Sequence, residues 1–274
     1  MGGNMHLGID AGGTLIKMAY GPPEGPIGYR SVPIVRLDEA VRWVNERFAD
    51  AALCLTGGRA NLFRERLGRD AGDLVEFEAT VSGVKRLLAE SGETETSFLL
   101  TNVGTGTSIH YIDGGGHYRV GGTGVGGGTM IGLSAMTTGV VDYGELVRRA
   151  SEGSRDLIDL TVSHIYEGAT PPIPGELTAS NFGRWLATGG SRRTEDVLAS
   201  IVGLVGETVA TVSVHAAGQC GVKRVFYIGS SFLQNELLRR VVAGYTELRG
   251  AKAGFVPHGE YSGALGAWMS TAGK

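Results

Sequence analysis

Glycine in this chain is gathered into short runs at the ends of apolar segments, and that placement constrains the fold more than any other feature. Of 274 residues, 46 are glycine, ~17% against about 7% in ordinary proteins. With only 8 prolines and no Gly-X-Y period, neither collagen nor proline-rich disorder accounts for them. The runs are Gly12-Gly13, Gly57-Gly58, Gly104 to Gly106, Gly114 to Gly116, Gly121-Gly122 and Gly124 to Gly128. Such runs make turns in which a backbone can approach a ligand closely.

Two of the runs sit in the same surroundings. His6 to Asp10 reads as a buried strand, Ala11 to Thr14 as a turn and Leu15 to Tyr20 as the answering strand. Phe98 to Val103, Gly104 to Thr107 and Ser108 to Ile112 repeat the pattern when Gly12 is laid on Gly104. Two ordinary hairpins give the same pattern, and so does a duplicated architecture, with lobes at 1–97 and 98–274. Between and after these units, helix and strand alternate. Helices are expected at Leu37 to Phe48, Ala79 to Glu90, Met130 to Thr138, Tyr143 to Glu152, Glu195 to Ala217 (broken softly by Gly203 and Gly206), Asn235 to Arg249 and Ser262 to Met269. Strands are expected at Ala51 to Leu55 and Val225 to Ile228, with a loop at Ile173-Pro174-Gly175. The class is α/β with mixed sheets, because each half opens on a hairpin.

Composition excludes several functions. A net charge of −3, from 25 basic and 28 acidic side chains, gives no footprint for nucleic acid or an anionic membrane. Two cysteines, Cys54 and Cys220, make neither a disulfide framework nor a cysteine-rich zinc site. No run of about 20 uninterrupted apolar residues occurs, and the expected location is cytoplasmic. The P-loop pattern is absent. Gly122-x-Gly124-x-x-Gly127 matches the dinucleotide fingerprint, but the stretch that should supply a strand-end acid about 20 residues later reads as helix.

The chemistry that remains is phosphate binding. Asp10 ends a buried strand, where a carboxylate needs a cation or several donors to offset desolvation. Gly12, Gly13 and Thr14 follow with backbone amides and a hydroxyl, and Lys17 adds a positive charge. A strand-end Asp beside phosphate donors suits Mg²⁺, which takes one or two carboxylates plus phosphate oxygens. A hairpin turn in which Asp10 accepts its own downstream amides reads equally well. Asn102 to Ser108 makes a second such turn. The run Gly121 to Gly128 followed by Thr129 makes a third, leading into a helix whose N-terminus favours an anion. Three convergent turns would enclose one polyphosphate between two lobes.

These residues also carry a resemblance. Asp10 to Thr14, Asn102 to Ser108 and Gly229-Ser230-Ser231 resemble the two phosphate motifs and the adenosine motif of the actin, sugar kinase and heat-shock chaperone superfamily. Ile9 to Lys17, Val75 to Ala79, Asn102 to Ser108, Arg119 to Gly122, Pro171 to Gly183 and Tyr227 to Phe232 resemble type II pantothenate kinases, especially the short bacterial form. The likeness runs over essentially the whole chain. It departs from the pattern in an extra Met1-Gly2-Gly3-Asn4 ahead of Met5, which touches no motif.

The resemblance implies a two-lobed actin-like ATPase (ribonuclease H-like) fold and transfer of the ATP γ-phosphate to the primary hydroxyl of pantothenate. It places the catalytic glutamate at Glu76, where Glu78 would otherwise be an equal candidate, and Arg119 at the pantothenate and phosphoryl site. It places nucleotide contacts at Asp10, Ala11, Gly12, Gly13, Thr14, Leu15, Ile16 and Lys17, at Thr105, and at Gly127, Gly128, Thr129, Met130 and Ile131. Tyr143 and Ser231 fall where the family contacts base or ribose; Tyr143 suits stacking on adenine and packing of a helix equally. ATP and Mg²⁺ are the implied cofactors and a homodimer the implied assembly. The apolar helix Glu195 to Ala217 fits a dimer interface or the interior of one protomer. The alternatives are a sugar kinase of the same superfamily, whose Glu-x-Gly-His element and cysteine-rich zinc loop are missing here, and a non-catalytic nucleotide-dependent switch.

Overall fold

The computed structural model describes residues 5–186 and 193–272, so Met1 to Asn4 lie outside the described residues. The first sheet takes the order β3-β2-β1-β4-β5. Its strands are β1 (His6–Ala11), β2 (Leu15–Gly21), β3 (Gly28–Pro33), β4 (Ala52–Thr56) and β5 (Gly72–Asp73). β2 pairs antiparallel with β1 and β3, whereas β4 runs parallel to β1 and β5 parallel to β4. Helices α1 (Leu37–Arg47), α2 (Ala60–Leu67) and α3 (Glu76–Glu90) fill the crossovers. β1 is buried along its whole length, as a central strand covered on both faces must be. Leu7, Ile9, Ile16, Met18, Val44, Leu55 and Phe63 form its core. Each large apolar side chain so buried contributes about 1.5–3 kcal/mol relative to exposure.

The second sheet has the order β12-β11-β6-β7-β8. It comprises β6 (Phe98–Val103), β7 (Thr107–Asp113), β8 (Gly116–Thr123), β11 (Arg224–Ile228) and β12 (Lys252–Phe255). α4 (Gly127–Thr138) and α5 (Tyr143–Ala150) follow β8. A two-stranded pair, β9 (Leu160–Thr161) with β10 (Thr178–Ser180), flanks the short α6 (Val162–Tyr166). α7 (Thr194–Gln219) and α8 (Glu236–Leu248) pack against each other. The expected repeat is present strand for strand: β6 begins at Phe98 against His6 for β1, and β7 at Thr107 against Leu15 for β2, both an offset of 92 residues. β6 and β11 are parallel, matching β1 and β4.

Three expectations change. The chain divides into units of 5–96, 112–117 and 255–272, and of 97–111 and 118–254, among the described residues. The tail therefore joins the first unit instead of extending the second to 274. Its last helix, α9 (Ser262–Ala272), lies on β1 and α3 with backbone against backbone. Gly8 abuts the main chain of Ala264, Ala267 and Trp268, Gly83 that of Ser262, and Gly266 that of Ala79. Trp268 Nε1 donates to Gly21 O at 3.1 Å. Second, α3 starts at Glu76, three residues before the expected Ala79, because the acids Glu76 and Glu78 in its first turn complement the positive end of the helix dipole. Third, α7 runs unbroken through Gly203 and Gly206. Arg155 fills the space over Gly203, and Val241 and Leu238 that over Gly206. α7 is long and apolar enough to cross a membrane, yet 72% of its most apolar 18-residue stretch is buried inside the protein. Of its two readings, the interior one describes most of its surface.

Candidate active site

The first unit gathers Asp10, Lys17 and Glu76. Asp10 and Lys17 are partners in the β1–β2 register, which places both side chains on one face. Lys17 Nζ lies 3.6 Å from Asp10 Oδ2, with side chains only 16% and 12% exposed. Burial pushes the Asp10 carboxyl above its usual range, and Lys17 opposes that shift by charge and hydrogen bonding. The turn between the strands is closed by the Gly12 amide donating to Leu15 O at 3.0 Å, and the Ile34 amide donates to Thr14 O at 2.9 Å. Gly13 and Thr14 are exposed at its tip, whereas Ala11 and Ile16 are fully buried.

Asp10 sits in a cradle that side chains elsewhere would fill. A Cβ on Gly57 would lie 2.6 Å from Asp10 Oδ1, and one on Gly263 would lie 2.9 Å from Oδ2. A buried hard carboxylate, kept clear of neighbouring side chains and only loosely paired with Lys17, fits a magnesium ion that shares its other ligands with phosphate. Among the described residues no three His, Cys, Asp or Glu side chains gather as a metal cage, so Asp10 would hold the ion together with substrate oxygens.

Glu76, on the first turn of α3, is exposed as a residue, but protein crowds its carboxylate on one side. That partial burial raises its pKa, and so does the charge of Asp10, while Lys17 and the polar backbone at Gly58 lower it. Two residues along a helix turn the direction by about 200°. Glu76 and Glu78 thus point apart by helix geometry.

In the second unit the other two glycine turns are bound to each other. The Gly127 amide donates to Gly104 O at 2.8 Å, and the Gly128 amide to Thr105 O at 2.9 Å. Ser231 Oγ also donates to Gly104 O, at 3.0 Å, and Thr107 Oγ1 to Val125 O at 2.8 Å. The first two amides of α4, expected to face an anion, are therefore spent inside the protein. The helix dipole and the shape of the turn are what they leave for a phosphate. The glycine run is also shorter as a loop than expected, since Gly121 and Gly122 belong to β8 and Gly127 and Gly128 to α4. Gly122 stands in a strand because Arg119 covers it: a Cβ there would lie 2.5 Å from Arg119 Nη2 and 2.7 Å from Thr107 O. Arg119 is exposed on β8. Met130 is fully buried and serves the core; Thr129 Oγ1 caps its own turn by donating to Gly124 O at 3.1 Å.

Tyr143 is pinned by its hydroxyl. It donates to Ser231 O and accepts from Asn235 Nδ2 at 3.0 Å, and burial raises its pKa to about 12. Gly229, at φ +116, brings its backbone against that of Val103, so the ends of β6 and β11 close on the second turn. Sequence reasoning missed Asn235, which is fully buried, and it left Gly57, Gly58 and Gly263 without a role. For Gly57-Gly58 a signal existed, a glycine pair at a strand end.

The strands and turns define a fold class, the actin-like ATPase fold. Among solved structures the chain is similar to component A of the (R)-2-hydroxyglutaryl-CoA dehydratase of Acidaminococcus fermentans, at TM-score 0.64 and 18% identity over 98% of each chain. It is also similar to a ROK family glucokinase of Streptomyces griseus in complex with glucose and AMPPNP, at TM-score 0.61 and 16% identity, covering 99% of this chain and 100% of that one. Within the class, the family described as Fumble matches residues 29–270. The type II pantothenate kinase of Staphylococcus saprophyticus is 43% identical over 263 residues, 96% of this chain and 98% of that protein. That of Staphylococcus haemolyticus is 44% identical over 264 residues, with the same coverage. The chain belongs to the type II pantothenate kinase family.

Proposed function

We propose that the chain phosphorylates the primary hydroxyl of pantothenate with ATP, the first step toward coenzyme A, with Glu76 as general base. The observation that carries this reading is the gathering of Asp10, Lys17 and Glu76 in a member of this family. A primary alcohol is a weak nucleophile, and a carboxylate within hydrogen-bond reach takes its proton as the oxygen–phosphorus bond forms. Partial burial and Asp10 raise the Glu76 pKa, which makes the carboxylate a better proton acceptor than a solvated one. Asp10 would hold the magnesium ion, which neutralises phosphate charge when bound. Residues Ala11 to Lys17, Thr105 and Gly127 to Ile131 are proposed for the polyphosphate, and Tyr143 and Ser231 for the nucleoside. Their hydroxyls are already committed, so these two would act through a ring face and a fixed turn. Arg119 is proposed to hold a pantothenate oxygen or the charge that develops on the transferred group.

The family likeness also supports a cytoplasmic homodimer. The test of substrate class is a coupled ADP-release assay with pantothenate, N-acylated pantetheine analogues and common hexoses. ADP release with pantothenate is expected; release with a hexose alone would replace this reading by the sugar kinase one.

A further inference from the structure

β4 is apolar from Ala52 to Leu55 and ends on a hydroxyl, Thr56. The register fixes where that hydroxyl stands. Thr56 is the parallel partner of Asp10, and Asp10 is the antiparallel partner of Lys17. Lys17, Asp10 and Thr56 therefore form a row across three adjacent strands on one face of the sheet. Leu7, Ile9, Leu53 and Leu55 alternate onto the opposite face and belong to the core. α9 lies on the face of the row and meets it without a side chain: a Cβ on Gly263 would lie 2.9 Å from Asp10 Oδ2. On the β4 side the chain passes Asp10 at Gly57, where a Cβ would lie 2.6 Å from Oδ1. Thr56 is 1% exposed, and its Oγ1 is buried with no hydrogen-bond partner among the described residues.

A buried hydroxyl without a partner is destabilising, and valine, with a methyl in its place, suits a strand at least as well. The packing of the fold gains nothing from this oxygen. We propose that Thr56 is a positioning residue of the metal site, its hydroxyl held beside Asp10 to donate to the carboxylate when that carboxylate binds a magnesium ion. The proposal rests on the reading of Asp10 as metal ligand and extends it. Carboxylates that ligate metals are themselves hydrogen-bonded, and the second bond fixes their orientation. Asp10 needs such a partner because the terminal torsion of an aspartate is broad. Lys17 is a charge on a flexible stem, 3.6 Å from Oδ2, and is itself proposed for the phosphate. Thr56 is β-branched, hence stiff, and stands on an interior strand of the sheet. Its hydroxyl carries no charge, so it orients the carboxylate without competing with the cation. Thr56 touches neither nucleotide nor ion in this scheme; it acts through Asp10.

The test compares the full-length wild type with Thr56→Val, Thr56→Ser and Asp10→Asn. Thermal unfolding is followed without ligand, and affinity for the ATP analogue AMPPNP is measured by calorimetry at saturating Mg²⁺ and in EDTA. Thr56→Val is expected to melt at or above wild type, because it removes an unpaired hydroxyl. The ratio of its two affinities, the Mg²⁺ response, is expected to fall about tenfold. Thr56→Ser keeps the hydroxyl and is expected to hold that response within about threefold of wild type. An unchanged response in Thr56→Val beside its loss in Asp10→Asn overturns the positioning role and leaves the metal ligand intact. Equal loss in Thr56→Val and Thr56→Ser also overturns it. So does a Thr56→Val protein that melts below wild type or fails to fold, since the hydroxyl then serves the fold itself. An unchanged response in Asp10→Asn instead removes the metal reading, and the proposal with it.

Discussion

Lys17 faces Asp10 across the β1–β2 pair, its ammonium 3.6 Å from the Asp10 carboxylate. The same ammonium lowers the pKa of both Asp10 and Glu76. One lysine therefore opposes the effect of burial on both the proposed metal ligand and the proposed base. Replacing Lys17 by Met removes the stabilised negative forms, so both carboxyls hold their protons to higher pH. The acidic limb of kcat/KM is expected to move up in Lys17→Met, with at least a tenfold loss near neutrality. A pH–rate profile with pantothenate as substrate checks this; an unmoved limb would disconnect Lys17 from the base.

The raised pKa values also bear on stability. Folded Asp10 and Glu76 bind protons more tightly than in the unfolded chain, whose ordinary values are 3.8 and 4.5. Their contribution is fully present below those values and is lost as pH rises through the higher folded ones. Glu76→Gln removes one of the two, so its urea midpoint is expected to gain on wild type as pH rises through that window. Denaturation series from pH 4 to 7 without nucleotide give the comparison, and a constant gap would contradict it.

Removing the Tyr143 hydroxyl leaves the buried Asn235 amide and the Ser231 carbonyl without their partner. Tyr143→Phe is expected to cost about 1–3 kcal/mol of stability and to raise the KM for ATP severalfold, through a loosened Ser231 turn. Thermal melts and steady-state kinetics measure both. Loss of nucleotide binding with no loss of stability would mean that the hydroxyl meets ATP instead.

The lock between the second and third turns has its own test. A Cβ on Gly127 would lie 2.6 Å from Ser231 Oγ and 2.9 Å from Gly104 O, whereas one on Gly124 meets nothing within 4 Å. Gly127→Ala is expected to weaken ATP binding at least tenfold, about 1.4 kcal/mol, and Gly124→Ala far less. Calorimetric titration of both variants distinguishes a packed turn from a loose one, for which the two would behave alike.

Much of this was legible in the sequence because it depends on local pattern. The strand–glycine–strand openings at His6 and Phe98 are short-range signals, and both formed at the expected offset of 92 residues. Asp10 and Lys17 are set opposite each other by a tight hairpin, which spacing alone conveys. What escaped is long-range. Arg155, Asp159, Thr178, Asn181 and Glu207 make one network, with Arg155 bound to Asp159 at 2.7 Å and to Glu207, and Glu207 also bound to Thr178 and Asn181. No sequence window contains both Arg155 and Glu207, so the network cannot show as a motif. The return of α9 to β1 escaped for a related reason. Its contact is made by missing side chains at Gly8, Gly83 and Gly266, and absent atoms leave no hydrophobic period to read. Gly122 was read as loop because glycine in a strand is unusual; Arg119 supplies the cover that makes it stable there.

The central claim is that Glu76 removes the proton from the acceptor alcohol. Glu76→Gln keeps size and shape but cannot accept that proton at neutral pH. Turnover of pantothenate by this variant, measured beside its Mg·ATP affinity, is expected to fall about 10²–10⁴-fold with affinity unchanged. Turnover within a few-fold of wild type at equal affinity would contradict the account.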